Sequence, residues 1–514
     1  MAFEDILHPA LSLYLGAPQW VKTCVGRTYS AVPRRLRYGG RFKGFEKEVA
    51  HCYGNGPVAE AADAKLALTL RHALAHVPAF AAYRHLLAQD RSPRELLAQL
   101  PLTSKQDIKA NLSAYLSERY TARNRLEMFT GGSTAIPMRF FSHKHVTRPK
   151  EAAYYQDFDR RAGLLHASDV ILSMRGRTVP GAGRPGARVW AYEPIKRHLV
   201  LSSDHLEPRF MPQYLEALRQ WKPSVVQAVP SALYPLACWL MAHPAPDITS
   251  RIRGIHLTSE TAYDFQMEVF RRVFDCPVLR GYGHTERVVL GATMPDDDRY
   301  FFWPLYGHVE LVDAAGQPIT EPGVPGEIVG TSFDNEVMPF VRYRTGDVGM
   351  WGGQRHPLLP HFPVMERIDG RLQEFVLCRD ERIVTVATLG AAHFSDLAAV
   401  DSIQYEQHEP GRIVLKVVSK VDLDAAQRER LAAAVSKKTQ GGCDVEVQRV
   451  EHIPRTARGK HRLLIQHLDV SGYLGAAALA GQGPQGRTAH EAGTPATTAA
   501  WQPAPALPAS ALNS

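Results

Sequence analysis

No stretch of this 514-residue chain approaches the ~20 uninterrupted apolar residues that cross a bilayer. The amino terminus, Met1 to Pro18, carries Glu4 and Asp5 and no basic run ahead of an apolar core. It therefore does not read as a signal peptide. Cysteine is scarce: six residues, at 24, 52, 238, 276, 378 and 443, without CxxC or Cys/His spacing. That pattern argues against structural zinc, and a chain of this length needs no disulfide staples. Reduced, buried thiols in a cytoplasmic protein are expected. Charge of one sign is also thin, with Lys plus Arg at 60 against 52 acids and a net charge of +8. Its clusters, such as Arg34-Arg35-Leu36-Arg37 and Arg251-Ile252-Arg253, are short. Solvated faces or attraction for anionic small molecules are expected ahead of nucleic acid or membrane binding.

What is present is a globular composition, 45% apolar and 22% charged, long enough for two or three domains. Ala62, Leu66, Leu70, Ala73 and Leu74 share one helical stripe within Glu60–Leu87, and Pro78 is expected to kink or divide it. Ser92-Pro93 opens a second helix, and Ser104 or Thr103 caps a third. Further on, helices are predicted at Gln156–Leu165, Phe210–Trp221, Leu233–Met241 and Phe265–Phe274. They alternate with strands at Asp169–Met174, Pro223–Val229, Ile252–Thr258 and Cys276–Tyr282. This alternation predicts an α/β domain with a mostly parallel sheet and ligand loops at its strand ends. Beyond Gly291, short strands at Tyr300–Trp303, His308–Val312, Gly326–Gly330 and Phe340–Tyr343 predict a small β-rich subdomain. Strands at 375–377, 383–386, 413–418 and 445–450 with a helix at Asp424–Val435 predict a separate α+β module. From Gly472 the chain turns to Ala, Gly, Pro, Thr and Ser, the composition of a disordered tail.

Phe129-Thr130-Gly131-Gly132-Ser133-Thr134-Ala135-Ile136-Pro137 sits between two strand patterns. Small residues let backbone N–H groups converge on an oxyanion, and the hydroxyls add rotatable donors. A turn between strands has the same composition. No lysine or helix follows the glycines, which excludes a Walker A loop. In Tyr343-Arg344-Thr345-Gly346-Asp347, an acid after Thr-Gly at a strand end can accept two hydrogen bonds from a vicinal diol such as ribose. A turn or capping aspartate is the alternative. Lys460 lies in a Gly-Lys loop that no local periodicity explains, and by itself reads as a solvated lysine.

Together these stretches resemble the adenylate-forming superfamily of acyl-CoA synthetases, adenylation domains and luciferases, and within it the phenylacetate–CoA ligase and CapK-like branch. The likeness covers about Pro101 to Leu464. Thr130 to Pro137 resembles the family's phosphate loop, Ser259-Glu260 its loop beside adenine, and Gly281-Tyr282-Gly283-His284-Thr285-Glu286 its Tyr-Gly-x-Thr-Glu motif. Met338 to Asp347 is similar to the ribose-binding stretch, Asp369-Gly370-Arg371-Leu372-Gln373-Glu374 to the hinge, and Pro454 to Lys460 to the carboxy-terminal lysine motif. Gly131 replaces the family's first loop serine, Ala135 its last glycine, and Met138-Arg139 stands where many members carry lysine. Gln373 occupies the usual charged hinge position.

The resemblance implies a large adenylation domain over residues 1–369, with 292–369 as the β-rich subdomain. A small mobile domain over 370–471 follows, with the tail at 472–514. It implies that Thr130, Gly131, Gly132, Ser133 and Thr134 cradle ATP phosphates, that Glu286 binds Mg²⁺, and that Thr285 touches the α-phosphate. Ser259, Glu260, Gly281, Tyr282 and Gly283 would border adenine, and Asp347 and Arg371 would hold ribose. Lys460 would stabilise the charge between carboxylate and α-phosphate, and rotation at Gln373 and Glu374 would then remove it. Ala228, His256 and His284 are candidates for the acyl pocket, with packed or surface histidines as the alternative. The implied activity is ATP-dependent conversion of a small, aromatic carboxylic acid to an acyl-adenylate with release of pyrophosphate, followed by transfer to coenzyme A. Transfer to an amine or to a carrier-protein thiol is the runner-up, and a catalytically weak binding protein the last alternative. A monomer or a homodimer is expected.

Overall fold

The computed structural model describes residues 14, 17–54, 56–130, 138–164, 169–175, 179, 187–203, 205–206, 208–371, 375–380, 383–385, 389, 400–419, 421–454 and 462–468. A hairpin of β1 (Arg125–Phe129) and β2 (Arg139–His143) stands apart from the main sheet. The first strands of that sheet are β3 (Ile171–Met174), β4 (Trp190–Glu193), β5 (His198–Leu201), β6 (Val225–Ala228), β7 (Gly254–Leu257) and β8 (Val278–Gly283). They continue with β9 (Leu290–Met294), β10 (Asp297–Phe302), β11 (Gly307–Val312), β12 (Pro325–Ser332), β13 (Tyr343–Trp351) and β14 (Val364–Arg371). These twelve strands form one sheet in the order β11-β12-β13-β14-β10-β9-β8-β7-β6-β3-β5-β4.

The sheet changes character at β8. From β5 to β8 neighbouring strands are parallel, and β3, β5, β6 and β7 are buried along their whole length. Parallel strands covered on both faces need continuous apolar runs such as Val225-Val226. One face is covered by helices Met211–Trp221, Pro230–Ala242 and Asp264–Phe274, and the other by helix Thr147–Arg161 with Phe42–Cys52 beneath it. From β8 to β11 every pairing is antiparallel. The β-rich stretch thus continues the parallel strands through the β8–β9 pair. The expected α/β class with a largely parallel core is what the chain folds into.

The predicted stripe forms helix Val58–His76, and Pro78 starts a separate 3₁₀ run over Pro78–Ala88. Both Ser92 and Ser104 close capping boxes, with Glu95 and Asp107. The helix expected at Gln156–Leu165 instead spans Thr147–Arg161. Its first half carries the buried Lys150 and the half-buried Glu151, polar residues that hide the apolar period. Lys150 Nζ donates to the Tyr306 and Phe333 carbonyls and pairs with Asp334 at 3.0 Å, so a charge satisfied in the interior looked like a solvent-facing one.

Two strands of the small module, β15 (Phe375–Leu377) and β16 (Ile383–Thr385), form a hairpin. A second sheet has the order β19-β18-β17-β20, from β17 (Val400–Glu409), β18 (Arg412–Ser419), β19 (Asp444–Val450) and β20 (Leu464–Gln466). Helix Ala425–Lys438, capped by Asp424, packs on it through Leu431 and Val435. β17 and the short β20 are the strands that apolar patterning misses, β17 because its interior includes Gln404 and Gln407. Both are satisfied by backbone: Gln404 Nε2 donates to the Arg462 carbonyl, and Gln407 bonds both the N–H and the carbonyl of Leu377. Tyr263 of the large domain packs against this module's core. Cys52, Cys378 and Cys443 are buried free thiols as expected, whereas Cys24 is exposed. No helix among the described residues is long and apolar enough to cross a membrane. The predicted tail beyond residue 468 lies outside the described residues.

Candidate active site

Thr130 closes the neck of the hydroxyl loop. Its N–H donates to the Met138 carbonyl at 2.9 Å, and its Oγ1 accepts from the Met138 N–H at 2.9 Å. Gly131, Gly132, Ser133 and Thr134 lie outside the described residues. Apolar packing anchors the neck, since Met138 and Phe140 share a buried cluster with Val288, Phe340 and Tyr343. Phe140 meets Phe340 edge to face, and Phe340 meets Tyr343 in the same way. Tyr343 in turn donates its hydroxyl to Glu286 Oε1 at 2.8 Å. A chain of rings therefore connects the base of the loop to the acid expected at the metal.

The carboxylate of Asp347 sits on a bulge. Between Val329↔Arg344 and Glu327↔Val348, β12 advances two residues while β13 advances four. Gly346 takes the left-handed conformation that lets the extra residues loop out, at φ +74°. Thr345 pins the bulge: its Oγ1 donates to the Ile328 carbonyl at 2.7 Å and accepts from the Asp347 N–H at 3.1 Å. Asp347 was expected at a strand end. It lies inside β13, and the bulge supplies the freedom that a strand end would have given. Across the sheet the register places Asp347 opposite Arg371 on β14.

Tyr282 on β8 reaches the same point. Its hydroxyl donates to Asp347 Oδ2 at 2.9 Å, and His284 Nε2 lies 2.9 Å from that hydroxyl. The Tyr282 and His284 rings meet edge to face. Tyr282, His284 and Asp347 therefore converge although 65 positions separate the first from the last. Ser259 and Tyr282 each lie two residues beyond the registered pair Leu257↔Arg280, which puts the Ser259-Glu260 loop beside Tyr282. Ser259 is held at φ +68°, an uncommon conformation for a residue with a side chain. Glu260 Oε2 accepts from the Ser231 N–H at 3.1 Å, the start of helix Pro230–Ala242, where a carboxylate complements the helix dipole.

Beneath β8 lies a second polar group. His256 on β7 is 1% exposed, with Nδ1 3.2 Å from Asp159 Oδ1. Gln227 Nε2 donates to the same oxygen at 2.7 Å. Burial holds His256 below the ordinary histidine range, against the raising effect of Asp159. Its Nε2 has no partner among the described residues. A side chain at Gly281 would meet Phe158 Cε1 at 2.4 Å and His256 Nε2 at 3.3 Å. Only glycine fits that close approach. Ala228 is fully buried in the apolar core between β3 and β7.

Thr285 and Glu286 follow in the turn closed by Arg287 N–H donating to the His284 carbonyl, and Gly283 ends β8. Gln373, Glu374 and Lys460 lie outside the described residues. Sequence reasoning missed Tyr343 and Thr345 as positioning groups, although both stand within the stretch already singled out. It also missed Asp159 and Gln227, which no local pattern marks.

Residues 196–332 match the family model described as AMP-binding enzyme, and residues 377–467 match the CapK C-terminal domain. No curated protein matches the chain in sequence. A 2-hydroxyisobutyryl-CoA ligase in the postadenylation state with 2-HIB-AMP is similar in structure, with a TM-score of 0.61 at 17% identity, covering 81% of this chain and 90% of that one. The same ligase with R3-HIB-AMP gives 0.60 at 16% over the same shares. An acyl acid amido synthetase in complex with 2,4-DB gives 0.55 at 14%, covering 85% and 96%. In its fold and in the two matched segments the chain is similar to the adenylate-forming superfamily, with a CapK-like C-terminal domain. It is by class an ATP-dependent, adenylate-forming ligase that activates a carboxylic acid through an acyl-AMP.

Proposed function

We propose that this protein activates a small aromatic carboxylic acid and passes the acyl group to coenzyme A. The observation that carries the nucleotide half of this reading is the meeting of Tyr282, His284 and Asp347, with Arg371 opposite Asp347 in register. On this reading Tyr282 and the Ser259-Glu260 loop border adenine, and Asp347 accepts from the ribose hydroxyls. Its orientation is set in advance by Tyr282, so little ordering cost falls on binding. The loop whose neck Thr130 closes would hold the triphosphate, with Gly131, Gly132, Ser133 and Thr134 as donors.

The Glu286 carboxylate, half-buried and oriented by Tyr343, offers oxygen ligation of the kind Mg²⁺ requires. When bound there, the ion would neutralise phosphate charge. The acid's carboxylate oxygen attacks the α-phosphorus and pyrophosphate leaves. Thr285 would touch the α-phosphate, and Lys460 would stabilise the charge shared by carboxylate and phosphate. Movement of the small domain about Gln373 and Glu374 would then admit the thiol. On the acyl side, His256 would support a pocket floor through Gly281, and His284 beside Tyr282 would face the nucleotide.

ATP–pyrophosphate exchange across an acid library, with and without coenzyme A, tests this. We expect exchange that depends on an aryl acid and AMP release stimulated by coenzyme A. Stimulation only by an amine or a holo-carrier protein would overturn the acceptor, and no exchange with any acid would overturn the enzyme. Lys460→Ala is expected to slow exchange by at least ~10²-fold with ATP affinity little changed. An equal loss of ATP affinity would count against that role.

A further inference from the structure

The small module carries a side-chain cluster that adenylation does not use. On β17, Tyr405 and Gln407 face the core, so Glu406 and His408 point the other way, two residues apart on one face. β20 runs parallel to β17 with Gln407↔Gln466 as its last registered pair, which brings His467 beside His408. The His467 N–H donates to the Gln407 carbonyl and holds that position. The two imidazoles stack with centroids 4.0 Å apart and planes within 9°. Both turn Nε2 toward one carboxylate oxygen: Glu406 Oε1 lies 2.8 Å from His467 Nε2 and 3.4 Å from His408 Nε2. The second oxygen, Oε2, is held by Lys416 on β18.

The geometry points to a transition-metal site of the zinc class formed by Glu406, His408 and His467. One ligand atom from each of the three lies within 4.8 Å of the others. A tetrahedral ion with bonds of ~2.1 Å sets its ligands roughly 3.4 Å apart, so small rotations of exposed side chains suffice to close it. Two imidazoles and a carboxylate suit zinc ahead of the hard cations, which prefer oxygen alone. The Lys416 contact plays the outer-shell part of orienting the carboxylate. Three protein ligands leave one position for water. No CxxC or Cys/His spacing announces the site, because its third ligand arrives through β-strand register from 59 residues away.

Calorimetric titration of the full chain with Zn²⁺, together with Co²⁺ absorption in the visible, tests the proposal. We expect one equivalent that the His408→Ala/His467→Ala variant does not take up, with loss of the Co²⁺ band. Both histidines are substantially exposed, so this variant keeps the fold, which a thermal melt without metal checks. Glu406→Gln is expected to weaken binding ~10-fold or more. Wild-type protein that takes up no zinc overturns the site, as does a double variant that binds the same equivalent with unchanged affinity.

Discussion

Two carboxylate–histidine groups flank β8, and they differ in what surrounds them. Asp347 with Tyr282 and His284 lies on the antiparallel side, with the His284 side chain 12% exposed. Asp159 with His256 and Gln227 lies under the parallel strands, with the imidazole 1% exposed and pressed against Phe158. The first is held by a bulge, and the second has its imidazole shut in against helix Thr147–Arg161, while Asp159 on that helix keeps 17% exposure. On the proposed function, similar chemistry serves a ligand in one place and the structure in the other. Access of the imidazole separates them, because a fully buried ring must be satisfied internally while a partly exposed one can exchange partners.

Substitutions can break this comparison. Asp347→Ala should give the largest loss, about a hundredfold in pyrophosphate exchange with the melting temperature nearly unchanged, as for a charged hydrogen bond of up to ~3 kcal/mol to substrate. A loss of stability instead would make Asp347 structural. Gly281→Ala forces a methyl group against Phe158 and should cost about 1–3 kcal/mol in denaturant unfolding. An unchanged midpoint would mean that the two groups are less tightly joined through β8.

A third substitution uses pH. Because burial lowers the His256 pKa, the folded chain keeps this ring neutral where the unfolded chain takes up a proton. The stability it confers is present above the ordinary value of 6.5 and is lost as pH falls below it toward the folded pKa. Wild type should therefore exceed His256→Gln in stability by about 1–2 kcal/mol near neutrality, and the gap should narrow on acidification. A constant gap would show that His256 does not titrate differently in the two states. Tyr282→Phe should have the smallest effect, roughly fivefold in the KM for ATP, because it removes one neutral donor worth ~1 kcal/mol while Thr345 still pins the Asp347 backbone. A hundredfold loss would show that the Tyr282 hydroxyl does more than orient Asp347.

Much of the candidate site was legible in the sequence. Thr130, Tyr282, Glu286 and Asp347 stand in short segments whose composition needs explaining, since a glycine–hydroxyl cluster or an acid after Thr-Gly has no periodic role in a core. The α/β alternation was legible for the same reason, as Val225-Val226 and Phe270 report burial directly. Helix Thr147–Arg161 and strand β17 were obscured because Lys150, Glu151, Gln404 and Gln407 are polar residues satisfied inside the protein.

By itself, then, the sequence determined which segments bury apolar surface, where glycine relieves the backbone, and which side chains bring charge and hydroxyls to the loops. Only the tertiary structure decided which of them meet. Asp347 faces Arg371 through strand register, Tyr282 reaches Asp347 across the sheet, and His467 arrives beside His408 from another strand. Asp159 and His256 share their fate only because a helix closes over β7. Local propensity acts over a few residues, whereas these encounters depend on the packing of elements tens to hundreds of residues apart, and packing alone sets both their geometry and their access to solvent.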